Sequence, residues 1–423
     1  MKVRSRRILR GIFQLGTGEA LARACGIATI ILLGHKYGVI VLGVFALAQS
    51  LSQYLQPLID FGLRHVGARL IAVYPQAGNL IVRRVQRRRL LMAGLVLPFI
   101  LVYTPFARVP MDMKVFLLVF ATISGLYAVS LDWAAWGKEN LQLVGFAKAI
   151  VPASILVCLV LGSASRRILW WLVLGNAVGY GLQGAIFWVW WRRHRTAEAV
   201  PHDVLAAIGQ SLAWQRTSIM GLAWLGNLVF NTIDMLMLGV MANPAQVGLY
   251  SAAYRVLNQV LITYYLVTQT LYPQFARHGL SDRVRMLKAR ILLPLLGTGI
   301  VLAAILTATR RTLLTLLFGQ PFLAAAPLLL LLAWVIPLDF LTSYLSNAYI
   351  AWSMERKVLL CTTIAAACNV VLNLIWIPNY GAMAAAVNTL LSYVIFLAGL
   401  ALAGRTRKAL SDGPRPQPEF AAR

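Results

Sequence analysis

Four groups of polar residues interrupt the apolar stretches of this chain at helical spacing. Glu19 and Arg23 stand four apart and can pair on one helix face. Gln49, Gln53, Gln56 and Asp60 follow at intervals of 4, 3 and 4, which makes one continuous polar edge. Asn227, Asn231 and Asp234 repeat the pattern, and Ser251, Arg255 and Asn258 share a further edge flanked by Tyr254 and Gln259. A guanidinium matches phosphate oxygens with paired hydrogen bonds. Side-chain amides both donate to and accept from hydroxyl groups. A carboxylate held in an apolar helix can couple movement to a proton or cation by changing charge state or partner, a role open to Glu19 or Asp234. The set therefore suits a polar head carrying phosphate and hydroxyls, with Arg23, Arg255, Gln49, Gln53, Gln56, Asn227, Asn231 and Asn258 as the binding groups.

Each stripe also has a plainer reading. Glu19 and Arg23 can be a self-neutralising pair that fixes packing, and amides can be interhelical glue worth about 0.6–2 kcal/mol each. Asp60 and Asp132 fall near cytoplasmic helix ends, where snorkelling or loop capping is the expected role. Asp339 is a solitary acid, balanced between packing and function. Arg255 has no acid at helical spacing in its own helix, and Asp234 is its nearest candidate partner. Four cysteines (Cys25, Cys158, Cys361, Cys368) lie in apolar stretches without metal-site spacing, and the histidines form no HExxH pattern. No catalytic residue, metal or cofactor is expected.

The elements that must position these groups are membrane helices. The 423 residues are 60% hydrophobic and 12% charged, more apolar surface than a soluble domain can hide. A span needs roughly 20 apolar residues, and such stretches fall at about 12–34, 38–60, 90–107, 115–135, 147–164 and 168–191. A second set follows at about 217–239, 247–272, 287–308, 322–349, 357–378 and 382–404. The first stretch reads as a span and not as a removed signal.

The net charge of +26 points to topology and not to nucleic acid, because arginine-rich and arginine-poor loops alternate along the chain. The N-terminal cluster, the run 64–89, Lys138, Lys148, the groups at 192–216 and 277–290, Arg356, Lys357 and the tail all fall on one side. Lys36, Arg108, Lys114, Arg166, Arg167, Arg310 and Arg311 fall on the other. Twelve crossings with both termini cytoplasmic satisfy the pattern. The run Arg83, Arg84, Arg87, Arg88, Arg89 is expected at the cytoplasmic surface, against anionic lipid headgroups.

The expected architecture is an all-α polytopic membrane protein. An N-terminal six-helix bundle (1–195) is joined by a cytoplasmic linker (196–216) to a C-terminal bundle (217–404), with a disordered tail (405–423). A weak repeat at an offset of about 210 residues implies a pseudo-two-fold axis along the membrane normal and a central cavity. The polar faces are expected to belong to helices 1, 2, 7 and 8, and the helices between them are far poorer in such stripes. The connections 64–89 and 192–216 are long enough for short interfacial helices. External loops are too short for an outside domain.

Five segments carry a family resemblance: YGVIVLGVFALAQSLSQYLQPLIDFGLRHVGARLIA (37–72), LDWAAWGKEN (131–140), NTIDMLMLGVMANPAQVGLYSAAYRV (231–256), LFGQPFLAAAPLLLLLAW (317–334) and IPNYGAMAAAVNT (377–389). With them the chain resembles polysaccharide flippases of the multidrug/oligosaccharidyl-lipid/polysaccharide exporter superfamily. The resemblance implies alternating-access transfer of undecaprenyl-pyrophosphate-linked oligosaccharide repeat units across the bacterial inner membrane. It implies basic cavity residues facing the pyrophosphate, a role that falls to Arg23 and Arg255. The partners implied are the lipid-linked oligosaccharide and membrane lipids, with a polysaccharide polymerase and a chain-length regulator as neighbours in such a pathway. Two other functions compete. A cation-coupled multidrug exporter favours acids and aromatics over buried arginines, and a membrane-embedded glycan polymerase needs a large external loop or soluble domain.

Overall fold

The first helix, α1 (Lys2–Asp60), has 59 residues, roughly 89 Å at 1.5 Å per residue. A hydrocarbon core is only ~30 Å thick. Gly38 divides it: φ 76 and ψ −170 lie where only a residue without Cβ sits at low cost, so the helix bends there into two arms. The stretches 12–34 and 38–60 are those arms. Phe61 (φ 37) and Gly62 (φ 82) then turn the chain into α2 (Leu63–Val73).

In the computed structural model, residues 2–195, 201–277, 289–352 and 354–405 are described. Residues 278–288, with Arg283, Arg285 and Lys288, and the residues after Arg405 lie outside them. Two compact units divide the chain, Met1–Leu225 and Gly226–Arg423. Among the described residues, ten stretches are long and apolar enough to cross a membrane, and one of these, Gly16–Asp60, contains the Gly38 bend.

The first unit continues with α3 (Gly78–Phe106), α4 (Met111–Ser124), α5 (Asp132–Gly137), α6 (Leu141–Leu161), α7 (Ile168–His194) and α8 (His202–Ser211). Two expectations change here. Helix α3 begins a dozen residues before position 90, so the arginine run is helical. The single helix expected over 115–135 is broken by a 3-10 turn at Gly125–Val129 and an extended Ser130.

The second unit takes in most of α9 (Trp214–Met241), then α10 (Pro244–Arg277), α11 (Ala289–Phe318), α12 (Ala326–Ala333), α13 (Val335–Ala351), α14 (Glu355–Tyr380) and α15 (Ala382–Arg405). In it α15 packs along α14, and α13 packs against both α10 and α11.

In the first unit α1 packs along α6, and α6 along α7. The α1–α6 crossing is a backbone contact, because a Cβ on Gly18 would collide with the Gly145 carbonyl. Small residues hold membrane helices together by such close approach. Gly18→Val is expected to force the crossing apart, at a cost of at least about 1–3 kcal/mol. Thermal unfolding in detergent checks it, and an unchanged midpoint would mean that the crossing is not tight.

At the α8 end of this unit an apolar core joins α2, α5, α8 and the nearby ends of α3, α6 and α7. Trp133, Phe187, Ile81, Val85, Val204, Ile208 and Leu212 are buried in it. Within the 196–216 segment, helix α8 thus contributes one face to the core of the first unit.

Candidate functional site

The glutamine edge of α1 lines a cavity of about 170 Å³ inside the first unit. Gln49, Gln53 and Gln56 face Asn176 and Tyr180 of α7 across it, with Phe45, Phe120, Ser52 and Ser124 in the walls. Hydrogen bonds fix the lining. Ser52 donates to Ser124 Oγ (2.8 Å), Asn176 Nδ2 donates to Ser124 Oγ (3.0 Å) and to the Phe120 carbonyl (3.1 Å), and Gln56 Nε2 donates to Tyr180 (3.3 Å). None of the lining residues is charged.

Gly26 and Thr29 of α1, with Val151, Pro152 and Ile155 of α6, complete the lining. Arg23 lies three residues before Gly26, hence on the same side of the helix. Its guanidinium pairs with Glu19 at 2.8 Å, both groups about 38% exposed (38% and 37%). Lys148 of α6 also pairs with Glu19, at 2.9 Å. The carboxylate is therefore shared between two cations, and Arg23 is not its sole partner.

A second charged group in this unit is fully buried. Arg89 pairs with Asp60 at 2.7 Å, with side chains 0% and 2% exposed, and Tyr127 donates to Asp60 at 2.6 Å. Arg89 also donates to the carbonyls of Ser130 (2.5 Å) and Tyr127 (3.1 Å). Those carbonyls belong to the α4–α5 break, where Tyr127 also accepts the Ser130 N–H (3.1 Å), and Gln86 donates to the Ala128 carbonyl of the same break. Nearby, Arg64 pairs with Asp132 at 2.8 Å. Asp60 and Asp132 thus hold ion pairs, and Asp132 also accepts from the Ser130 hydroxyl in the break before α5 (3.2 Å). Arg83 and Arg87 are exposed as expected, but Arg89 turns inward on the face that carries Ile81 and Val85.

In the second unit Asp234 is buried. Its Oδ2 accepts from Tyr250 (2.8 Å) and Thr389 (2.9 Å), and its Oδ1 from Asn373 (2.5 Å). Asn373 bonds Asn369 (2.9 Å) and accepts from Asn388 (2.8 Å), so the network spans α9, α10, α14 and α15. The expected pairing with Arg255 gives way to these neutral donors, and Arg255 Nε donates to Ser251 one turn back (3.1 Å). Asn231 bonds the Asn227 side chain at 2.7 Å and receives Tyr393 at 3.4 Å. Asn258 is part-buried, one turn beyond Arg255.

Several of these residues carried a readable signal. Asn176 and Tyr180 stand four apart, as do Asn369 and Asn373, the same spacing that marks the glutamine edge. Polar stripes are therefore not confined to the four expected helices. Lys148 carries no such signal, since its place beside Glu19 comes from the α1–α6 crossing.

A family model described as polysaccharide biosynthesis protein matches residues 8–278. Among curated proteins, the chain is similar to the probable low-salt glycan biosynthesis flippase Agl15 of Haloferax volcanii. The two are 22% identical over 399 residues, 86% of this chain and 77% of that protein. Among solved structures, the fold is similar to the lipid II flippase MurJ in an inward closed conformation, at 13% identity and a TM-score of 0.68, over 94% of this chain and 89% of that one. It is equally similar to an inward-facing multidrug resistance transporter of the MATE family in the MOP superfamily. There the identity is 11% and the TM-score 0.69, over 96% of this chain and 100% of that one. At these identities the structural likeness is one of fold, that of an all-helical multi-pass membrane protein.

Proposed function

The chain belongs to the polysaccharide biosynthesis protein family, transporters and not enzymes, and on that premise we propose that it flips undecaprenyl-pyrophosphate-linked oligosaccharide repeat units across the cytoplasmic membrane. Transfer proceeds by alternating access between two six-helix bundles, with both termini cytoplasmic. The observation that carries this reading is the separation of polar groups in the first unit. A part-exposed guanidinium stands on the α1 face that opens into an uncharged, amide-lined cavity. The first group suits phosphate, and the second suits sugar hydroxyls.

In this reading Arg23 leaves Glu19 for the pyrophosphate, and Lys148 keeps the carboxylate compensated. Within the second unit, Arg255 is the corresponding phosphate-binding group and Asn227, Asn231 and Asn258 are the hydroxyl-binding amides. Asp234 or Glu19 links the cycle to a proton or cation gradient. The glycan named in the description of Agl15 supports the substrate class.

The test is transfer of a polyprenyl-pyrophosphate oligosaccharide in proteoliposomes. Arg23→Ala and Arg255→Ala are each expected to lower the rate by roughly tenfold or more, the loss of a charge-assisted contact of about 1.5–3 kcal/mol. Lysine at either position restores part of it, because an ammonium lacks the forked geometry. A folded Arg23→Ala or Arg255→Ala protein with the parent rate removes that arginine from the mechanism. A parent protein that moves no such lipid overturns the function.

A further inference from the structure

We propose that the first-unit cavity is a subsite for one uncharged sugar ring, the ring next to the pyrophosphate, and that Asn176 and Tyr180 set its selectivity. The inference rests on the flippase reading above and adds to it which part of the substrate is read and by which residues.

Size limits the occupant. At about 170 Å³ the cavity exceeds the ~30 Å³ share of one water several times over. It stays below the ~300–1,000 Å³ of sites for drug-sized molecules. One ring fits that range, and an oligosaccharide does not.

Chemistry limits it further. Both amide hydrogens of Asn176 are already given, one to Ser124 and one to the Phe120 carbonyl, so its carbonyl oxygen is the group left to accept a hydroxyl. Tyr180 takes its bond from Gln56 through oxygen. Phe45 and Phe120 meet edge to face at 5.8 Å and offer an apolar wall to the C–H face of a ring. The lining holds no cation, so a sugar carboxylate would enter without a counter-charge and lose its hydration.

Position identifies the ring. Three residues of helix separate Arg23 from Gly26 in the lining, an axial rise of roughly 4.5 Å. Phosphate held at Arg23 therefore delivers the adjoining ring to the cavity.

The experiment compares two probes in proteoliposomes: polyprenyl pyrophosphate carrying a single N-acetylhexosamine, and the same lipid carrying a single hexuronic acid. Transfer is read as exposure of the sugar to external periodate. The parent protein is expected to move the neutral probe at least roughly tenfold faster than the acid. Asn176→Leu should remove most of that advantage by slowing the neutral probe, and Tyr180→Phe should reduce it in part. Gln53 is exposed on the cavity lining, and Gln53→Arg brings in a counter-charge with little demand on packing. It is expected to raise transfer of the hexuronic probe and to narrow or invert the ratio. Equal rates for both probes in the parent protein, or a ratio unmoved by Gln53→Arg, overturn the subsite while leaving the flippase reading intact. Transfer of neither probe by a folded parent protein overturns both.

Discussion

Replacing Arg89 with methionine is expected to destabilise the first unit by about 3–5 kcal/mol, the cost of stranding one member of a buried ion pair. Whole domains hold only about 5–15 kcal/mol, so the effect should appear as poor recovery of folded protein. Methionine is apolar and close to arginine in volume, so lost volume is a minor part of the cost. The cost comes from Asp60, which would lose its paired guanidinium and keep the Tyr127 hydroxyl, and from the Ser130 carbonyl, which would lose the donor that Arg89 supplies at the broken helix. The double variant Asp60→Leu with Arg89→Met removes both charges, and it is expected to be more stable than Arg89→Met alone. Thermal unfolding of the four proteins in detergent gives the coupling directly. If Arg89→Met melts with the parent, the ion pair does not hold the α4–α5 break.

That pair also marks where the sequence stops being readable. The membrane class, the arms on either side of Gly38 and the glutamine edge all follow from local spacing, because a span or a stripe is a property of one helix. Arg89 belongs to a run that reads as surface, and four of its five arginines do fall on exposed or part-buried positions. The residues spaced by four on its own face, Ile81 and Val85, did signal that it points inward. Its partner Asp60 lies on another helix, and no feature of local sequence joins them. The break at 125–131 was hidden for the same reason. It contains no proline, and the donors that stabilise it come from α3.

The candidate site divides in the same way. Gln49, Gln53 and Gln56 were legible, and the structure brings them to one cavity. Asn176 and Tyr180 have equivalent spacing, but they sit in a helix outside the four expected to carry polar stripes. Asp234 was legible as a buried acid, yet its neighbours were not. An acid in an apolar helix suggests a cationic partner, and here neutral hydroxyls and amides from three other helices take that place.

That arrangement gives the second large expected effect. Asp234→Asn should lower gradient-driven transfer by roughly 5–150-fold, the range of typical coupling free energies, with the protein still folded. The substitution keeps shape and volume but removes the charge. It also turns one acceptor into a donor that faces the donors Tyr250, Thr389 or Asn373. A site that works by gaining and losing a proton or cation at this carboxylate loses its response to an imposed gradient and keeps only the rate seen without one. Thr389→Val is the control for packing. It removes one hydrogen bond to the same carboxylate at a cost of about 1–3 kcal/mol, and it should lower the melting midpoint while leaving transfer responsive to the gradient. Should Asp234→Asn respond to imposed pH and sodium gradients as the parent does, the carboxylate is a packing group, and Glu19, held between Arg23 and Lys148, becomes the site to test for coupling.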